Sequence, residues 1–185
     1  SYDYLVPAML STEKSGDERA KYIASAYYDP YAATYNPSAN NSNDYWTAGV
    51  SVGVLRTSEL ENLANATKSI LPSSMDNIAV AASIPNYDRR SSSSYSFVGY
   101  YDFLALAKQL SDGNSAFTTW KSAFDRAVIY WKTTPINYSA FAGNFSMEGS
   151  SGLSHYIPLT LNSTTATAYR TCAWYTAAGW DKIGW

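Results

Sequence analysis

The sequence holds one histidine and one cysteine, His155 and Cys172, and this pair limits the chemistry open to it. A zinc centre needs several imidazole or thiolate ligands, and one of each cannot supply them. A serine triad needs a histidine base. His155 is the sole candidate, and no Gly-x-Ser-x-Gly elbow accompanies it. No glycine-rich phosphate loop is present either. What remains is a Cys172–His155 dyad, which requires a strand and the helix after it to bring the two side chains face to face. It also requires an electropositive, partly open setting for the thiolate. Cys172 stands between Thr171 and Ala173 in a helix that reads as well packed, where a free cysteine behaves as a small buried hydrophobe. His155 alternates with Leu153 and Ile157 and shares their face, which makes it a partly buried imidazole rather than a base. Both residues read as structural.

The carboxylates offer little more. Asp17, Glu18, Asp29, Glu59, Glu61, Asp102 and Asp125 fall where helix caps and solvated faces place them. Asp3 falls among them as a surface or capping residue, and is the one carboxylate that could instead line a pocket shared with an upstream segment. Of the aromatic residues, Trp120, Phe124 and Trp131 read as core. Tyr95, Tyr100 and Tyr101 could make a sugar platform, and the Trp174, Tyr175, Trp180 and Trp185 group a docking surface.

These side chains must be positioned by elements that the sequence also marks. Hydrophobic residues make up 46 % of the 185, enough to fill a core. No apolar run is long enough to span a bilayer. The net charge of −2 gives no basic field for nucleic acid. Only 15 % of residues are charged, and the uncharged polar surface this implies suits an extracytoplasmic protein. One cysteine excludes an intrachain disulfide. Asn-x-Ser/Thr sequons occur at Asn40, Asn65, Asn137, Asn144 and Asn162, a number that a composition this rich in Asn, Ser and Thr supplies largely by chance.

A short helix is predicted over Asp3 to Leu10. A second is capped by Asp17, carries Ala20, Ile23, Ala24 and Tyr27 inward, and ends at Asp29-Pro30. Thr47 to Leu55 reads as a strand. A helix capped at Thr57 or Ser58 follows, with Ser58 and Glu61 spaced as a capping box. Met75 to Ile84 is ambiguous, and Asn86 to Ser96 is a polar loop. Val98 to Leu110 reads as a helix entry followed by a helix with Asp102 near its start, and a stripe of Phe117, Trp120, Phe124, Ala127, Val128 and Trp131 predicts a helix over Ser115 to Trp131. Gly152 to Leu159 is a strand. Thr167 to Ala178 is a closing helix, with Gly179 as its C-terminal cap. Strands interleaved with helices predict an α/β fold. Two confident strands are too few for a sheet that these helices could cover, so the remaining strands are expected before Ser1. Ser1-Tyr2-Asp3-Tyr4-Leu5, with no initiating Met or signal peptide, likewise reads as the interior of a longer protein.

Several segments, in order, resemble the C-terminal half of clostripain-like peptidases, the C11 cysteine peptidase family. Tyr2-Asp3-Tyr4-Leu5 is similar to the stretch after that family's glycine-containing substrate loop. Arg19 to Tyr28 is similar to its next helix, Thr47 to Leu63 to its strand-then-helix unit, and Val98 to Leu110 to its Asp-Leu helix. Gly152 to Pro158 resembles its Gly-Leu-Ser-x-Tyr-x-Pro strand, and Tyr169 to Asp181 its closing helix. The resemblance implies the C-terminal part of a caspase-like (caspase–haemoglobinase) sheet with covering helices, residues 1–185 forming a single segment of a secreted bacterial peptidase. It implies cleavage after Arg or Lys by a His–Cys dyad, processing into two chains that stay together, and calcium dependence in some members. No cofactor and no calcium site is identifiable in this sequence. Both dyad residues lie before the first matched segment. His155 occupies the variable slot of its strand and Cys172 the closing helix, so neither takes a catalytic role from the family. Tyr2 and Asp3 fall nearest the substrate loop and are the expected substrate-binding residues.

The expectation is therefore a non-catalytic C-terminal chain or segment that supports the core and substrate pocket of an Arg/Lys-directed cysteine endopeptidase. Its partners would be the upstream catalytic chain and a peptide substrate, with no nucleic acid and no membrane span. The alternative is a secreted, aromatic-rich binding or structural module for a glycan or protein partner.

Overall fold

A computed structural model describes residues 3, 5–39, 47–74, 80–87, 99–112, 114–139, 143–158, 161 and 163–184. It is mixed α/β: seven helices and six strands among the described residues, the strands pairing two by two and always antiparallel. The chain divides into two compact units. One is formed by the chain up to Leu55 together with Val128–Glu148. The other runs from Arg56 to Ala127, apart from a stretch after Tyr87, and from Gly149 onward.

In the first unit, α1 (Leu5–Leu10) packs on α2 (Gly16–Ala33), which lies against β1 (Ser51–Leu55). Ser15, not Asp17, occupies the N-cap of α2, and Asp17 and Glu18 sit in its first turn where the helix dipole favours them. The helix does not stop at Asp29-Pro30 but carries Pro30 inside its last turn. A proline there forfeits only one backbone bond, close to an end whose last carbonyls lack intrahelical partners in any case. β1 pairs with β3 (Val128–Thr133), and the register shifts between Val54 and Leu55. The hairpin of β4 (Ile136–Ser139) and β5 (Gly143–Ser146) follows.

A polar knot ties β1, β3 and β4 together. Thr134 Oγ1 donates to Asn137 Oδ1 (2.7 Å) and accepts from the Val50 N–H (2.9 Å). Asn137 Nδ2 donates to Ser51 Oγ (2.7 Å), which meets Thr133 Oγ1 at 2.8 Å. Gly49 permits this closeness. Its φ of +112° and a Cβ that would lie 2.2 Å from Asn137 Oδ1 admit no side chain.

The second unit contains α3 (Leu60–Lys68), β2 (Tyr100–Asp102), α4 (Phe103–Ser111), α5 (Ala116–Ala127), β6 (Ser154–Tyr156), α6 (Thr164–Tyr169) and α7 (Ala173–Ala177). Its core is α5 against α3 and α4. Trp120, Ala123, Phe124 and Ala127 form the inward stripe of α5, all nearly inaccessible. Trp120 meets Phe103 edge-on at 5.0 Å and stacks on Phe124 at 5.2 Å, geometries worth about 0.5–1.5 kcal/mol each beyond area burial. The buried indole N–H is satisfied by Thr67 Oγ1 (3.0 Å), which in turn donates to the Leu63 carbonyl (2.8 Å).

Several expected boundaries move. The helix expected over Ser115 to Trp131 ends at Ala127, and Val128–Thr133 is a strand. VIYWKT is β-branched and aromatic, and its pairing with β1 outweighs a helical spacing that Val128 and Trp131 extend by coincidence. The Ala127 carbonyl at the junction accepts the Arg56 N–H (2.7 Å). Trp131 is only half-buried, not core. The segment before α4 is a strand, β2, because Tyr100 and Tyr101 pair with Tyr156 and His155. No capping box forms at Ser58. Thr57–Glu59 makes a 3₁₀ turn and Glu59 becomes the N-cap of α3 without a side-chain bond. The closing helix is two helices, interrupted at Arg170–Cys172. Gly179 caps the end with φ +85°, as expected. Of Met75 to Ile84 and Asn86 to Ser96, the larger part lies outside the described residues.

Candidate functional site

His155 projects from β6 into the core of the second unit and is 4 % exposed. Its ring lies between Trp180, stacked at 4.5 Å, and Phe103 at 4.7 Å. Trp174 Nε1 stands 2.9 Å from His155 Nε2, and Tyr169 Oη stands 3.0 Å from the same nitrogen. An indole N–H can only donate. Nε2 is therefore bare, and the proton of the neutral imidazole sits on Nδ1. Burial holds the imidazole down at about 3, with the Tyr156 backbone opposing that shift weakly. A ring in this setting has no free lone pair for a substrate or a thiol. It is a polar pillar of an aromatic core, and the hydroxyl of Tyr169, itself pushed far up chiefly by burial, does not titrate beside it.

Cys172 differs from its expected setting. It is exposed, at the N-cap of α7 in the break between the last two helices, and its Sγ lies 4.0 Å from the Ala168 carbonyl. The break exposes it. The Arg170, Thr171 and Cys172 N–H groups bond back to Ala166, Ala168 and Tyr169, a tightening that ends α6 before the thiol can turn inward. Cys172 and His155 line one apolar cleft of about 300 Å³ with Tyr100, Phe103, Tyr169 and Trp174. The fold thus brings the two residues to one cleft without making a dyad, because Trp174 and Tyr169 already engage the only acceptor nitrogen of the imidazole.

Asp102 is the carboxylate with the most built-up surroundings. It is 0 % exposed and caps α4, accepting the Ala105 N–H at 2.9 Å. Its other oxygen accepts from Tyr87 Oη (2.9 Å), the Ser151 N–H (2.6 Å) and Ser151 Oγ (2.7 Å). Tyr87 Oη receives the Gly152 N–H at 3.1 Å. Burial first, then the Asp102 charge, pushes this phenol up to about 12. The carboxylate therefore staples the loop leading into β6, at Ser151, to the β2–α4 corner. Sequence reading finds Asp102 at a helix start but has no local signal for Tyr87 or Ser151, which lie 15 and 49 residues away.

Of the two expected substrate-binding residues, Asp3 is exposed in a turn before α1, in the first unit, and Tyr2 lies outside the described residues. The C-terminal aromatics are largely consumed by the core rather than free to dock: Trp180 is inaccessible, and Trp174 is half-buried with its N–H engaged. Trp185 is outside the described residues. Among the described residues no group of three His, Cys, Asp or Glu is placed to hold a metal ion, and no helix is long and apolar enough to cross a membrane.

Comparisons with known proteins give a consistent result. The family profile described as the clostripain family matches residues 1–185. A solved B. fragilis cysteine protease is 42 % identical, with TM-score 0.85, the match covering 100 % of this chain and 73 % of that one. A secreted C11 cysteine protease from Bacteroides thetaiotaomicron, solved with an irreversible peptide inhibitor, is 35 % identical, with TM-score 0.80, over 98 % of this chain and 49 % of that one. An inactive zymogen C11 protease from Parabacteroides distasonis, 22 % identical with TM-score 0.65 over 84 % of this chain and 42 % of that one, shares the fold. No curated protein matches. The chain thus spans about half the length of two of these structures.

Proposed function

The chain belongs to the clostripain family, and from that premise we propose that it is the non-catalytic C-terminal segment of a secreted, Arg- or Lys-directed cysteine endopeptidase with a caspase-like core. One observation carries the reading. The only histidine is a neutral, buried imidazole whose acceptor nitrogen is held by Trp174 and Tyr169, so it cannot draw a proton from Cys172. The His–Cys pair that a cysteine peptidase needs then belongs to the part preceding Ser1, where the motif resemblance also puts it. There the thiolate attacks the scissile carbonyl, and the histidine acts first as base and then as acid toward the leaving amine. The 35 %-identical relative is a secreted enzyme captured by an irreversible peptide inhibitor, which supports the same chemistry and location for this protein.

The described chain contributes the support. Its strand pairs and covering helices complete the sheet, the Asp102 staple fixes the loop before β6, and Tyr2 and Asp3 border the substrate pocket. Processing leaves the two parts associated. No calcium site is assigned to these residues. The aromatic-module reading is not favoured, because Trp174 and Trp180 are committed to His155.

The test uses full-length protein and a lysyl or arginyl acyloxymethyl ketone, with the adduct mapped by mass spectrometry. The expected adduct lies on a cysteine outside residues 1–185, and Cys172→Ala keeps kcat/KM within about twofold of wild type. An adduct on Cys172 would overturn the proposal.

A further inference from the structure

Helix α1 reads LVPAML and contains no charged residue. It packs on α2 and buries Ala8, which is 1 % exposed. Val6, Met9 and Leu10 remain 51, 58 and 73 % exposed. Spaced i, i+3 and i+4, they share one face of the helix. Among the described residues the other large apolar side chains left exposed are Tyr22, Tyr100 and Leu161, so half of this group sits on one short helix. Isolated exposed apolar residues are ordinary, but a contiguous stripe marks a contact surface. Such a face is costly to leave in water, at about 25 cal/mol per Å² of apolar area.

We infer that the Val6–Met9–Leu10 face of α1 is the seat of the upstream catalytic part of the same protein. This rests on the reading above, in which that part precedes Ser1. Length favours this occupant: the match takes in 73 % of the B. fragilis protease and 49 % of the B. thetaiotaomicron protease, so relatives of the same fold hold substantial chain beyond what is matched. Tethering favours it too. α1 is the first helix after the proposed junction, and a part joined through a few residues meets it at an effective concentration in the millimolar range. A membrane surface suits the face less, because α1 has no lysine or arginine to meet lipid headgroups.

Met9 is a built-in probe. Full-length protein is treated with dilute hydrogen peroxide, and methionine sulfoxide is quantified by peptide mapping, with Met147, 6 % exposed, as the slow reference. Met9 is expected to oxidise at least about tenfold more slowly than methionine in a free peptide, at a concentration where the protein sizes as a monomer. Oxidation at the free-peptide rate would overturn the inference. Protection that vanishes on dilution would overturn it as well, in favour of a second copy. In a Met9→Asp/Leu10→Asp variant the catalytic part is expected to separate on gel filtration after processing, with the circular dichroism unchanged because neither side chain is buried within residues 1–185. A variant whose parts still co-elute would count against the inference. The inhibitor adduct keeps the two proposals separate. An adduct outside residues 1–185 with freely oxidised Met9 sinks the docking face alone, whereas an adduct on Cys172 sinks the reading beneath it.

Discussion

Replacing His155 by Asn tests the claim that burial holds this imidazole neutral. The folded protein holds the group at about 3, against 6.5 in the unfolded chain. The folded value is depressed, so the unfolded chain takes up the proton first, and stability falls as pH drops from about 6.5 towards 3. Each pH unit in that window costs about 1.4 kcal/mol, and between pH 7.5 and pH 5 the wild type loses roughly 2 kcal/mol through this residue. The variant has no imidazole and escapes that loss. Its carbonyl can still accept the Trp174 N–H, but the stacking on Phe103 and Trp180 goes, and at pH 7.5 the variant is less stable by roughly 1–3 kcal/mol. Trp174 and Trp180 flank the site, so urea titrations followed by tryptophan fluorescence report on it. Other titrating groups are common to both proteins and cancel in the difference. The expected result is a gap that closes by roughly 2 kcal/mol on acidification. A gap of the same size at both pH values would mean that the imidazole titrates alike folded and unfolded. The reasoning that denies it a base's role would then fail.

Two further changes probe the scaffold. Asp102→Asn sets an amide among four donors, so at least one backbone N–H, of Ala105 or Ser151, faces an NH₂ group; a loss of roughly 2–4 kcal/mol is expected in chemical denaturation, and a change under about 0.5 kcal/mol would show that the staple is idle. Gly49→Ala places a methyl group 2.2 Å from Asn137 Oδ1 at a φ that L-residues rarely adopt; a Tm drop of several degrees, or insoluble expression, is expected from clash and strain together, and an unchanged Tm would contradict the described knot.

Legibility in the sequence followed the range of the forces involved. The inward stripe of α5, the cap of Gly179 and the burial of His155 beside Ile157 are local patterns, and each is present in the fold. The end of α5 was not legible. Val128 and Trp131 fit a helical stripe, and only a partner strand more than 70 residues earlier turns them into a ladder. Cys172 reads as buried because it falls within a helix that reads as well packed, yet the break at Arg170–Cys172 turns it outward. The partners of His155 are a residue on each of two short helices, Tyr169 and Trp174, which no spacing rule links to a strand. Patterns within one element were therefore easier to read than the partners an element meets across the chain.

The knot at Asn137 has a practical consequence for making the protein. Asn137-Tyr138-Ser139 is an acceptor sequence for oligosaccharyltransferase, and that enzyme acts on chains that have not yet folded. A sugar on Nδ2 would occupy the atom that must reach Ser51 Oγ at 2.7 Å, so a yeast or mammalian secretion host would set glycan transfer in competition with closure of β1 against β4. A bacterial host avoids that competition altogether.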